Sequence, residues 1–129
     1  MARYFISLAA LGGFLAVALG AFGAHALKNR LDEYALSVYQ TAVQYQFYHS
    51  MALLGVGLFC LWMPRSRLLV GAGIAFLLGI VVFSGSLYAL SFTGVRWLGA
   101  ITPLGGLSFM AGWVLLLLAA WKQGEQPIF

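Results

Sequence analysis

Residues 68–92 read LLVGAGIAFLLGIVVFSGSLYALSF, without one Asp, Glu, Lys, Arg or His. Coiled as an α-helix, the run exceeds the roughly 20 residues needed to cross about 30 Å of hydrocarbon. Three further stretches, 4–27, 43–63 and 98–121, are likewise apolar and free of Asp, Glu, Lys and Arg, with His25 in the first and His49 in the second. The chain of 129 residues holds only three carboxylates, and none lies inside any of the four stretches. These features predict an all-α membrane protein: a single domain, 1–129, folded as a four-transmembrane-helix bundle.

Composition excludes the soluble classes. Hydrophobic residues make up 63% and charged residues 8%, against about 25% charged in soluble domains, so the chain lacks the polar surface to cover a water-facing core. The net charge of +4 is scattered over the ends of the apolar stretches, on Arg3, Lys28, Arg30, Arg65, Arg67, Arg96 and Lys122. No basic stripe forms, which excludes nucleic acid as a partner. The cations read as interfacial anchors and topology signals. Arg3, Arg65, Arg67 and Lys122 fall on the side of the termini, and Lys28, Arg30 and Arg96 on the other, which predicts both termini in the cytoplasm. Cys60 is the single cysteine and has no intrachain partner. The N-terminal run, followed by Ala24-His25-Ala26, has the look of a secretory signal. It is longer than the 7–15 residues of a signal core, so it reads as the first transmembrane helix.

Small residues mark the helix contacts. Gly12, Ala16, Gly20 and Ala24 form a ladder along helix 1, and Gly71, Ala75 and Gly79 another along helix 3. Close backbone approach at such positions drives packing in lipid, where little hydrophobic force acts between helices. Helix 1 is therefore expected at the centre of the bundle, and Gly12, Gly20, Gly23, Gly85, Gly105 and Gly106 are the expected packing glycines. Residues 28–44 are polar but patterned, and predict an amphipathic helix at the interface, capped by Asn29 and running or bending into helix 2. Pro64 ends helix 2 and leaves a short turn into helix 3. Pro103 either opens helix 4 behind a Thr102 cap or kinks a helix that began earlier. Trp62, Trp97 and Trp121 sit at span ends, where indoles favour the headgroup level. Residues 123–129 form a short tail.

The topology sends the polar side chains to one end. His25 leaves helix 1, His49 lies just inside helix 2, Ser84, Ser86 and Tyr88 lie late in helix 3, and Thr102 begins helix 4. An even number of crossings separates them, so all belong to the membrane face away from the termini. Gln40, Thr41, Tyr45 and Gln46 extend the cluster, with Thr41, Tyr45 and His49 on one face of a continuous helix. Polar groups left unpaired in lipid cost several kcal/mol, so this layer must turn inward, over an apolar base.

Leu19-Gly20-Ala21-Phe22-Gly23-Ala24-His25, Gln40-Thr41 with Tyr45-Gln46 and His49, Phe83-Ser84-Gly85-Ser86-Leu87-Tyr88, and Thr102-Pro103-Leu104-Gly105-Gly106 occur in that order. Together they resemble the YgdD-like family of small bacterial membrane proteins, a domain-of-unknown-function family with eukaryotic relatives. The resemblance covers nearly the whole chain. It implies a four-helix protein of the bacterial plasma (inner) membrane and supplies no activity.

The residues themselves predict a non-enzyme with no cofactor. The polar layer reads as a pocket for a lipid or small amphiphile near the non-cytoplasmic face, or as a docking site in a membrane complex. Membrane lipids, a second copy or another membrane protein are the partners expected. The plainer reading is that His25, His49, Ser84 and Thr102 satisfy one another and pin the helices. A small-solute transporter acting as a homo-oligomer is a third, weakened because no intramembrane Asp or Glu is present to relay protons. A haem or metal held by His25 and His49 is a fourth, with no carboxylate or thiolate nearby to complete it.

Overall fold

A computed structural model describes residues 1–124, which contain helices and no strand. Residues 125–129 of the tail lie outside that range. Four long helices follow one another: α1 (Ala2–Leu27), α2 (Glu33–Trp62), α3 (Arg67–Thr93) and α4 (Leu98–Gly124). By length and composition α1, α3 and α4 are each apolar enough to cross a membrane. Helix α2 has the length, at 30 residues, but Gln40, Thr41, Gln44, Gln46 and His49 interrupt it up to its middle.

Local chemistry sets the ends. Asp32 caps α2, its carboxylate accepting from Ala35 N at 2.7 Å. Asn29, the expected cap, lies in the preceding turn, and 28–44 makes no separate helix: from Glu33 onward it is the first part of α2. The segment is continuous because nothing in it breaks a helix and Ala42, near its C-terminal end, is fully buried in the bundle. Ser66 caps α3 by accepting from Leu69 N. Gly94, at φ 71°, closes α3 in the left-handed conformation that glycine tolerates. Helix α4 begins at Leu98, so Pro103 lies inside it. Two π turns interrupt the regular coil: Gly23–Leu27 ends α1, and Ile80–Ser84 divides α3. One extra residue in a turn rotates the remainder of the helix by about 100°, so the two halves of α3 present their faces differently.

The helices pack in sequence order, α1 on α2, α2 on α3 and α3 on α4. Helix α1 is therefore at the edge, and α2 and α3 form the central pair. The ladder of α1 is a contact surface, but for one neighbour: Gly12 approaches Ser50, and Gly20 approaches Val43, both on α2. In the same way Gly71 and Gly79 of α3 receive Leu115 and Phe109 of α4. The half nearest the termini is apolar, built on Phe5, Leu53, Val56, Leu69, Ala72 and Phe76. Rings fill the space that glycines leave: Phe5 covers Gly73, and Phe76 covers Gly112.

Gly105 is the glycine to which a neighbouring helix's main chain lies closest. A methyl there would collide with the Phe83 main chain, which cannot swing away. Gly85, also expected at a contact, faces open space. Gly105→Ala and Gly85→Ala raise helix propensity equally, so their difference isolates the contact. We expect Gly105→Ala to lose about 1–3 kcal/mol in detergent unfolding followed by circular dichroism, and Gly85→Ala to be neutral or slightly stabilising.

Candidate functional site

Gln46 is the hub of the polar half. It is 5% exposed and projects from α2 toward both neighbours. Its Nε2 donates to the Gly12 carbonyl of α1 at 2.9 Å, and its Oε1 accepts from the Tyr88 hydroxyl of α3 at 2.6 Å. A single amide thus ties three helices. Around it, Tyr39 donates to the Leu19 carbonyl at 2.6 Å, and Ser84 to the Ala42 carbonyl at 2.8 Å. The hydroxyls of Ser86 and Thr102 bond to each other across α3 and α4 at 2.6 Å, with Ser86 also within hydrogen-bond distance of the Phe83 carbonyl. Ser84 and Tyr88, one turn apart, share the face of α3 that meets α2, and Ser86 between them lies on the opposite face, toward α4. The π turn sets how both faces are rotated relative to the first part of α3.

His49 lies one turn beyond Gln46. It is 6% exposed and stacks on Phe109, with ring centroids 3.5 Å apart and planes 7° from parallel. The indole of Trp113 donates its only N–H proton to His49 Nε2 at 3.1 Å. Nε2 is therefore unprotonated, and Nδ1 carries the hydrogen, donated to the Tyr45 carbonyl at 2.9 Å. Protonating His49 would set two N–H donors face to face. Both ring nitrogens are engaged, so coordinating a metal would break an existing hydrogen bond.

The expected site residues divide into two sets. Gln46, His49, Ser84, Ser86, Tyr88 and Thr102 are gathered between helices. Thr41 bonds back to the Ser37 carbonyl within its own helix, Gln40 and His25 are exposed, and Tyr45 is 37% exposed, stacked on Phe83 at 4.6 Å. Tyr39, Phe109 and Trp113 belong to the site although sequence reasoning did not single them out. Trp113 carried a signal: unlike the other three tryptophans it lies well inside a span, where its N–H requires a partner. Ser50 completes the layer. It is 2% exposed against Gly12, and its Oγ has no hydrogen-bond partner among the described residues.

Beside His49 the surface is recessed. A groove of about 600 Å³ runs between α2 and α4, lined by Tyr45, His49, Pro103, Gly106, Leu107, Phe109, Met110 and Trp113. Its walls are almost wholly apolar. It opens sideways, toward the surface on which Leu107 and Met110 are exposed, rather than into a central pore.

A family model described as "Protein of unknown function (DUF423)" matches residues 19–106. The UPF0382 membrane protein YwdK of Bacillus subtilis is 44% identical over 120 residues, covering 93% of this chain and 98% of its own. The UPF0382 membrane protein SH2409 of Staphylococcus haemolyticus is 45% identical, covering 93% and 97%. The UPF0382 inner membrane protein YgdD of Escherichia coli is 40% identical over 123 residues, covering 92% and 89%. No solved structure matches. The chain belongs to this family of membrane proteins of unknown function.

The Gln46–Tyr88 bond gives a direct test of the hub. In a cycle of Gln46→Leu, Tyr88→Phe and the double variant, we expect a coupling of about 0.6–1.7 kcal/mol, the range found for interhelical bonds in lipid. Gln46→Leu should be the costlier single change, because it also releases the Gly12 carbonyl from α2. Additive losses would show that the two side chains do not act together.

Proposed function

We infer that this DUF423-family chain is a non-catalytic module of the bacterial inner membrane that binds an amphiphile, most simply a membrane lipid, through the groove beside His49. One observation carries the reading: an apolar recess of about 600 Å³ opens laterally at the buried His49. Its walls suit an acyl chain, and the exposed Tyr45 stands at its rim for a polar head. The network behind it is closed except at the Ser50 hydroxyl. Gln46, Ser84, Ser86 and Thr102 spend their hydrogen bonds within the protein, so their part is to hold the shape of the groove rather than to receive the ligand.

The reading takes all four helices as spans, with α2 crossing over residues 43–62 and its polar first turns lying at the non-cytoplasmic interface. Both termini are cytoplasmic, in keeping with the distribution of Arg and Lys. Assembly with a second copy or another membrane protein is compatible with the exposed outer face of α1. The histidine pair is a weaker alternative, because His49 is saturated and His25 is exposed at the far end of α1. Transport through a homo-oligomer is weaker too, because the apolar half nearest the termini offers no polar path.

The test is crosslinking from a lipid carrying a photoreactive acyl chain. We expect labelling at Met110 and Trp113 that excess unlabelled lipid competes away. Gly106→Leu, which fills the groove, should reduce it to background, and His49→Leu should reduce it more than His25→Gln. Labelling spread evenly over all lipid-facing residues, or unchanged in Gly106→Leu, would sink the groove as a site. Topology is checked separately. A membrane-impermeant maleimide should label Arg96→Cys in intact cells, and Lys122→Cys only after permeabilisation, with buried Cys60 silent in both.

A further inference from the structure

We propose a second lipid site at the opposite end of the bundle, one that takes the phosphate headgroup of an anionic phospholipid. A cavity of about 440 Å³ lies between the turn that joins α2 to α3 and the last turns of α4. Arg65 and Lys122 line it from its two sides, with Trp62 and Ser66. Among the described residues no carboxylate lines it. Two cations brought together by separate parts of the fold form a receptor for a phosphate, not merely a charged rim.

The cavity does not stop at the headgroup level. Trp62 is also a wall of an apolar groove of about 350 Å³ on α2, lined by Gly55, Leu58, Phe59 and Leu61. The indole therefore stands where a cationic pocket meets an apolar one, the depth at which tryptophan settles in bilayers. From Gly55 to Trp62 the groove follows α2 for about 10 Å. A phosphate held by Arg65 and Lys122 would send an acyl chain along it. This polarity sequence, anion then hydrocarbon, commits the site to a phospholipid rather than a free anion. The comparable cavity at the other end has Arg30 and Arg96 but also Asp32 in its wall, which offsets the attraction. This site shares no residue with the groove beside His49, so either can fail without the other.

The experiment measures retention of dioleoylphosphatidylglycerol against dioleoylphosphatidylcholine by native mass spectrometry of the full chain in detergent. Glycerol 3-phosphate and inorganic phosphate serve as competitors. We expect preferential retention of the anionic lipid. Arg65→Gln and Lys122→Gln should each lower it about fivefold, and together about twentyfold or more. Arg67→Gln removes the same charge from the same end without touching the cavity, and should stay close to wild type. Gly55→Leu fills the acyl groove at a position with open space beside it. It should weaken phosphatidylglycerol and leave binding of glycerol 3-phosphate unchanged. Equal losses in Arg67→Gln and Arg65→Gln would reduce the site to diffuse charge and overturn the proposal. So would an unaffected Gly55→Leu, or displacement of the lipid by inorganic phosphate at the same concentration as glycerol 3-phosphate, either of which would point to a free-anion site.

Discussion

Every polar side chain placed between helices in lipid must find its partner inside the protein, because the solvent offers none. Gln46 meets that requirement for three helices at once. Its amide has one donor end and one acceptor end, and the fold uses the two in opposite directions, toward a main-chain carbonyl of α1 and a phenol of α3. The consequence is registry. Small residues let α1 slide along α2 with little change in packing energy, since Gly12, Ala16 and Gly20 repeat every four positions. A hydrogen bond to the Gly12 carbonyl is satisfied at one setting only. The other interhelical bonds repeat the device, and three of them end on main-chain carbonyls, at Leu19, Ala42 and Ala75.

The amount readable from the sequence divides in the same way between packing and registry. Hydropathy marks where a helix lies, and the four apolar stretches correspond to α1, the last two thirds of α2, α3 and α4. Small-residue ladders mark which faces meet, and both ladders are contact faces. Neither signal says how many neighbours share a face. The ladder of α1 suggests a central helix, yet it is used up against α2 alone. The asymmetry of the polar residues is readable because chain reversal at each short turn sends alternate helix ends to the same side. Their pairing is not, because it depends on the π turn at Ile80–Ser84. A residue count assuming 3.6 per turn cannot foresee that extra rotation. Gln40, Thr41 and His25 carry the same polar signature as Gln46 and His49. Only the rotation of each helix decides that the first three face outward or back along their own backbone.

Aromatic rings supply what small residues leave out. Several close approaches at glycines are matched by a ring from a neighbouring helix: Phe5 over Gly73, Phe109 over Gly79, Phe76 over Gly112 and Tyr39 over Gly23. A ring is rigid and fills such a recess in one orientation, which adds shape specificity to contacts that small residues alone would leave loose. Phe109 has two tasks, covering Gly79 on one side and stacking on His49 on the other. The imidazole therefore sits in a slot whose width α3 and α4 define together. Its tautomer is set by Trp113 and Tyr45 from helices α4 and α2.

These two modes of packing divide the molecule by height, and the division bears on function. Near the termini the helices meet through rings, aliphatic side chains and the Cys60 thiol, and Leu53, Val56, Leu69, Ala72 and Phe76 are all fully buried. Among the described residues, that buried core holds no hydroxyl, amide, imidazole or charged side chain for an ion or sugar to step onto. Toward the other end polar contacts dominate, and apart from the Ser50 hydroxyl the buried ones are closed within the protein. A solute path through the monomer would have to break both arrangements. A lipid approaching from the side would break neither. It meets His49 and Phe109 at the edge of the stack, where Gly106 withholds a side chain and Pro103 removes a main-chain donor. The surface there is recessed, apolar and backed by a hydrogen-bonded network, a combination that suits an acyl chain.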